Sequence, residues 1–123
     1  MLFRSRFFHR DTAPIKLLTA AGINVCLGTD SLASNDSLNL IKEMHTFALD
    51  FTDLPAEQIV HMTTTAPARA LGHENTLGVL APEARADLIA IPLQNDSPDP
   101  YESVVYADQP PSHVMVGGKF VIG

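Results

Sequence analysis

Asp30 is the residue whose chemical type and place in the sequence best suit catalysis or cation binding. It follows a nearly continuous apolar run at residues 23–27, which is typical of a strand buried on both faces. A carboxylate at the carboxyl end of a parallel strand lies where α/β barrels place their catalytic groups. The same carboxylate could instead cap a turn, because Thr-Asp-Ser strings often accept hydrogen bonds from nearby backbone amides. The residues alone leave both interpretations open.

The five histidines offer no local metal-binding motif. Their successive separations are 36, 16, 12 and 40 residues, so no two stand at the spacing of neighbouring ligands on one strand or helix. Surface or capping roles are the simpler expectation for them. His9 is the hardest to dismiss, because it lies beside Arg10 just before a predicted helix. The histidines are His9, His45, His61, His73 and His113.

Other polar residues near Asp30 have simpler explanations. Ser31, Ser34 and Asn35 follow it in a loop that leads toward the same side, and turn chemistry accounts for them. Cys26 lies within the apolar run, and we expect it to be an inert core residue. We find no Ser/His/Asp order, glycine-rich phosphate loop or cysteine pair.

A short helix is predicted before the apolar run. Asp11 or Thr12 can cap it, Pro14 stands in its first turn, and Gly22 suits the left-handed residue that ends a helix. This helix and the predicted strand at 23–27 form one repeat of a parallel sheet, with Asp30 at its carboxyl end.

The clearest helical periodicity runs from residue 37 to about residue 50, with Asp36 or Ser37 as the expected N-cap. Pro55 then opens another helix through Met62, and residues 67–71 form a short turn closed by Gly72. The polar positions of the 37–50 helix form one predicted solvent stripe: Asn39, Lys42, Glu43, Thr46 and Asp50.

After Gly72 the pattern becomes that of a mostly β region. Residues 88–91 indicate a buried strand that stops at Pro92, and residues 104–106 indicate a short strand. Residues 114–122 predict a hairpin, because Gly117 and Gly118 permit positive φ at both central positions of its turn.

Composition excludes several classes of protein. The net charge of −6 leaves no basic excess for nucleic acid, and no apolar stretch approaches the roughly 20 residues of a membrane span. The single cysteine is compatible with a reducing, cytoplasmic location. A complete eight-fold α/β barrel typically needs about 250 residues, so 123 residues are too few for one.

Residues 22–35, GINVCLGTDSLASN, closely resemble the eighth-strand segment of the amidohydrolase superfamily. The resemblance is strongest to the branch with cytosine deaminases, triazine chlorohydrolases, and adenosine- or aminofutalosine-type deaminases. Residues 63–72, TTTAPARALG, are similar to the helix that follows the barrel in that family. Residues 77–80 and 85–89 resemble its return into a small β-sandwich, although Glu83 and Ala84 replace a more usual Pro-Gly turn, and residues 116–119 resemble its closing hairpin.

The resemblance implies an α/β fold in two parts. Residues 1–72 would be the last βα segment of a (β/α)₈ metal-dependent hydrolase barrel, and residues 73–123 part of a β-sandwich. In that family one divalent metal, zinc or iron, is held by histidines of other strands and by an aspartate that Asp30 matches. Such a carboxylate takes a proton from the metal-activated water and relays it to the leaving amine. Ser34 matches a position that can contact a substrate hydroxyl.

The same comparison implies that essential parts are missing. The His-x-His strand, the other histidine ligands and the accompanying catalytic acid are absent, so we expect a C-terminal piece of a longer enzyme. Alone it should neither hold metal tightly nor turn over substrate. Its partners would be the missing N-terminal barrel portion, a small N-heterocyclic substrate that loses an amino group or halide, and a second copy in a homo-oligomer. The alternative is a non-catalytic remnant of a split gene, or an assembly module that docks on a separate N-terminal chain.

Overall fold

The computed structural model describes residues 13–33, 35–93 and 98–123. The predicted caps at Asp11 and Thr12, the His9–Arg10 pair and Ser34 lie outside these ranges. The helices are α1 (Ile15–Ala20), α2 (Leu40–Asp50), α3 (Ala56–Thr63), α4 (Thr65–Ala70) and α5 (Pro100–Val105). The strands are β1 (Leu88–Ala90), β2 (His113–Val116) and β3 (Lys119–Ile122).

Helix ends follow the turn-forming residues of the sequence, with one correction. Gly22 and Gly72 have φ of 73° and 72°, as predicted for residues just past α1 and α4, and Pro55 precedes α3. The predicted N-cap of α2 at Asp36 or Ser37 is wrong. Asn39 caps the helix instead, because its side-chain oxygen accepts hydrogen bonds from the backbone amides of the first turn.

The hydrophobic core lies in the helical part of the chain. Helices α2, α3 and α5 pack against one another, and α4 packs against α3. Phe47, Ile59 and Val105 are 2%, 1% and 0% exposed, so side chains from all three helices fill the centre. The buried cluster is Ile15, Leu27, Met44, Phe47, Ala48, Ile59, Met62 and Val105.

The predicted strand at residues 23–27 is not a paired strand. It contacts the core through the side chains of Val25 and Leu27 and through a backbone hydrogen bond from the Leu27 amide to the Met62 carbonyl at 2.8 Å. Leu27 alone in the run is buried. Cys26 is exposed, so its prediction as a core residue is wrong. A parallel strand needs neighbouring strands to satisfy its backbone groups, and the described residues supply none beside it.

The strands form one antiparallel sheet in the order β1-β2-β3. The predicted hairpin is confirmed: Val116 pairs with Lys119, and Gly117 and Gly118 have φ of 56° and 80°. The buried strand predicted at 88–91 is shorter and mostly exposed. The short strand predicted at 104–106 is wrong, because Asp99 caps helix α5 in that region.

No helix among the described residues is both long enough and apolar enough to cross a membrane.

Candidate active site

Asp30 is exposed and lies directly after segment 23–28, in the loop of residues 29–33 that ends in a turn at residues 32–33 and is called the Asp30 turn below. Its backbone is left-handed, with φ of 61°, a conformation that aspartate tolerates better than most residues. The Thr29 hydroxyl donates a long hydrogen bond of 3.4 Å to the Asp30 carbonyl. The residue is exposed, so its side chain lies at the surface.

Two contacts anchor the segment that leads to this turn. The Leu27 amide is bonded to the end of helix α3, as described above, and the Asn24 side-chain amide donates to the Ala66 carbonyl of helix α4 at 2.8 Å. Both contacts lie on the side of the segment that faces these helices. They hold residues 24–27 against helices α3 and α4.

The far side of the turn is held by Asn35. Its side-chain nitrogen donates to the Thr29 carbonyl at 2.8 Å and to the Glu43 carboxylate at 3.0 Å. Its side-chain oxygen accepts a hydrogen bond from the Ser37 amide at 3.3 Å. One side chain thus links the residue before Asp30 to the first turns of helix α2.

Glu43 is the residue of this arrangement that sequence reasoning missed. The prediction that it belongs to a solvent stripe is wrong, since it is only 4% exposed. Helix periodicity carried a signal, because Glu43 precedes the buried Phe47 by four residues and so lies on the same face, whereas the exposed Lys42 is turned about 100° from it. A second signal was the polar loop just before the helix, whose amide Asn35 can fold back onto the helix and cover a carboxylate.

The remaining sequence candidates are dispersed. His45, His61 and His113 each make an edge-on ring contact with an aromatic side chain, and His73 is exposed on the loop after α4. Within the described ranges, no three His, Cys, Asp or Glu side chains come together as a potential metal site.

The comparison with known proteins decides the family. The model of the amidohydrolase family matches residues 2–121, almost the whole chain. The chain belongs to the amidohydrolase family. The resemblance of residues 22–35 to the amidohydrolase superfamily is confirmed.

Curated relatives of this amidohydrolase chain are named as deaminases. A 5-methylthioadenosine/S-adenosylhomocysteine deaminase of Moorella thermoacetica is 37% identical, over 89% of this chain and 29% of that protein. A 5'-deoxyadenosine deaminase of Methanosarcina mazei is 38% identical, over 89% of this chain and 26% of that protein. The chain therefore spans less than a third of the length of these relatives.

A solved structure shows the same fold. It is an adenosine deaminase from Xanthomonas campestris with bound zinc, with a TM-score of 0.87 and 26% sequence identity. The superposition covers 97% of this chain and 30% of that one. The helices and small antiparallel sheet described above thus form a part of the amidohydrolase fold.

The Asp30 carboxylate is a donor type that suits a divalent metal, but it would supply only one ligand. Carboxylate oxygen is a common ligand of zinc, and the exposed turn leaves space around the residue. A catalytic zinc site typically has about three protein ligands, and the described residues gather no such set. The donor type fits, and the other ligands would have to come from residues outside the described ranges or from another chain.

Proposed function

We propose that this chain forms the C-terminal part of the catalytic unit of a metal-dependent deaminase. The reaction would be the hydrolytic removal of an amino group from an N-heterocyclic substrate. The observation that carries the proposal is the position of Asp30, exposed at the end of an anchored segment in a chain that belongs to the amidohydrolase family. The metal would be zinc or iron, and zinc is the metal bound in the structural relative.

In this proposal residues 1–72 belong to the end of a (β/α)₈ barrel and residues 73–123 to a β-sandwich. Segment 23–28 would then be the last barrel strand, paired on both sides by strands that lie outside the described residues. That arrangement would account for the unpaired backbone and the exposed side chains of Ile23 and Cys26. We also propose a cytosolic location, in keeping with the single cysteine.

Asp30 would act in two ways, as a metal ligand and as the group that moves the proton. Bound metal would lower the pKa of a water molecule toward neutrality. The Asp30 carboxylate would take a proton from the attacking water and deliver it to the departing amine, which leaves as ammonia. Ser34 would contact a hydroxyl group of the substrate.

The substrate class follows from the relatives. They are named for the deamination of 5-methylthioadenosine, S-adenosylhomocysteine and 5'-deoxyadenosine. We therefore propose an adenosine-type nucleoside as the substrate of the assembled enzyme. The wider alternatives, a cytosine-like ring or halide release from a triazine, have weaker support from these comparisons.

The test is a chimera that joins this chain to the part of the Moorella relative outside the matched region. We expect ammonia release from 5-methylthioadenosine that a chelator abolishes and zinc restores. Asp30→Asn should lower kcat by about 10²- to 10⁴-fold, because general acid–base catalysis contributes that much.

The matched control is Asp36→Asn, which removes an exposed carboxylate from the same loop and should leave kcat within about twofold. A folded chimera without chelator-sensitive ammonia release would contradict the proposal, as would an active Asp30→Asn variant.

A non-catalytic assembly module is the second candidate, and exposed apolar surface favours it. Leu17, Leu49 and Phe120 are 70%, 61% and 61% exposed, and such side chains favour association with a covering surface. Both candidates predict that this chain binds a barrel-forming partner or a second copy. Only the deaminase predicts that the resulting complex releases ammonia in a metal-dependent reaction.

A further inference from the structure

Asn35 uses every hydrogen-bonding group of its side chain on the surroundings of Asp30. Its NH₂ group has two hydrogens, so it can donate to the Thr29 carbonyl and to the Glu43 carboxylate at the same time. Its oxygen accepts from the Ser37 amide. The orientation of the amide is therefore fixed, and so is the carbonyl of the residue that precedes Asp30.

Glu43 supplies the buried end of this connection. A carboxylate that is 4% exposed is costly to remove from water unless hydrogen bonds compensate for it. An apolar side chain would be accommodated more easily at this position, beside the buried Met44 and Phe47. One contact of the Glu43 carboxylate is the hydrogen bond from Asn35, and Asn35 in turn bonds the Thr29 carbonyl in the Asp30 turn.

We propose that Asn35 and Glu43 are positioning residues that hold the Asp30 turn in its left-handed form and so set the direction of the Asp30 carboxylate. This inference rests on the proposed function for its catalytic consequence, but the turn geometry can be tested without it. Hydrogen-bonded partners of a metal ligand typically change metal affinity or activity by about 10–100-fold when mutated.

The first test measures backbone geometry at Asp30 in the whole chain by NMR. We expect Asn35→Ala to change the HN–Hα coupling of Asp30, which reports φ, and to raise amide exchange at residues 29–31 by about tenfold. The matched control is Asn24→Ala, which removes another side-chain-to-carbonyl bond of 2.8 Å from the same segment. It should leave the Asp30 coupling unchanged. An unchanged coupling in Asn35→Ala, or an equal change in Asn24→Ala, would overturn the inference.

A second pair of variants covers the case in which Asn35→Ala fails to fold. Glu43→Gln keeps the shape and an oxygen that accepts from Asn35, so the Asp30 coupling should match that of the unmodified chain. Glu43→Leu fills the same buried position but removes the acceptor, so the coupling should change as in Asn35→Ala. If the two variants give the same coupling, the connection does not act through the hydrogen bond and the proposal is wrong.

The catalytic consequence is measured in the chimera. Asn35→Ala and Glu43→Leu should lower kcat by about 10–100-fold, with KM within about twofold, and Glu43→Gln should restore most of kcat. If the unmodified chimera releases no ammonia, the proposed deaminase function fails while the NMR result still decides the positioning role. If the chimera is active and the three variants match it, the positioning role fails while the function stands.

Discussion

In the helical part of the chain, Phe47, Ile59 and Val105 are at most 2% exposed, whereas every described strand residue is half-buried or exposed. All four residues of β3 are exposed, although three of them are large and apolar. The sheet contributes nothing to the buried cluster. The helical part therefore has a core of its own, while the sheet has backbone pairing without a covered face.

The helical part and the sheet therefore differ in how far their stability depends on a surface that covers their apolar side chains. Burial of apolar side chains is the main favourable term in folding, and a hairpin without a buried face is marginal in water. We expect the helices to fold with the chain as given. The sheet should gain most of its stability when Phe120 and its neighbours on β3 are covered, as they would be in an assembled β-sandwich.

Apolar truncation should produce the largest contrast between the two parts. Ile59→Ala should lower the free energy of unfolding by about 2–5 kcal/mol, because it leaves a cavity among packed helices. Phe120→Ala should cost at most about 1 kcal/mol, since it loses little beyond its ring contact with His113. Urea unfolding followed by far-UV circular dichroism measures both. A similar cost for the two variants would mean that the sheet is already covered in solution.

Two glycines provide a smaller and more local test on the connection between the parts. Gly72 and Gly78 both have positive φ, near 72°, so alanine should cost about 1–2 kcal/mol at either position. A Cβ at Gly72 would enter open space, whereas one at Gly78 would overlap the Thr64 carbonyl between α3 and α4. Gly78→Ala should therefore cost about 1–3 kcal/mol more than Gly72→Ala. Thermal unfolding of the two variants measures the difference, and equal melting temperatures would show that the loop is not packed against the helices.

The features that could be predicted from the sequence are those set by a few adjacent residues. The hairpin turn at Gly117 and Gly118 needs positive φ at two positions, and the ends of α1 and α4 need the same at Gly22 and Gly72. Each follows from local backbone chemistry. The same reasoning could have found α5, because Asp99 followed by Pro100 is a typical helix start.

The features that could not be predicted depend on contacts distant in the sequence. An apolar run such as 23–27 becomes a strand only where other strands pair with it. None of the described strands does so, and Cys26 is therefore exposed. Asp30 could be singled out from its place after that run, and its metal-binding role stays a prediction. The contact that supports it could not be predicted, because Asn35 reaches Glu43 only when the loop folds back across the start of helix α2.

The smallest effect is expected beside the hairpin turn, where Asp87 makes two separable contacts. One carboxylate oxygen accepts from the Gly117 amide at 2.5 Å, and the other lies 3.3 Å from the Arg85 Nε. Asp87→Asn keeps an oxygen acceptor for Gly117 and loses only the exposed ion pair, which is typically worth about 0–1 kcal/mol. Asp87→Ala loses both contacts and should cost about 1 kcal/mol more, the value of a typical hydrogen bond.

Amide exchange across β2 and β3 measures the opening of the hairpin, while exchange in α3 should stay the same in both variants. If Asp87→Ala raised exchange in α3 as well, the hairpin and the helical core would unfold together, and the two parts would form one cooperative unit.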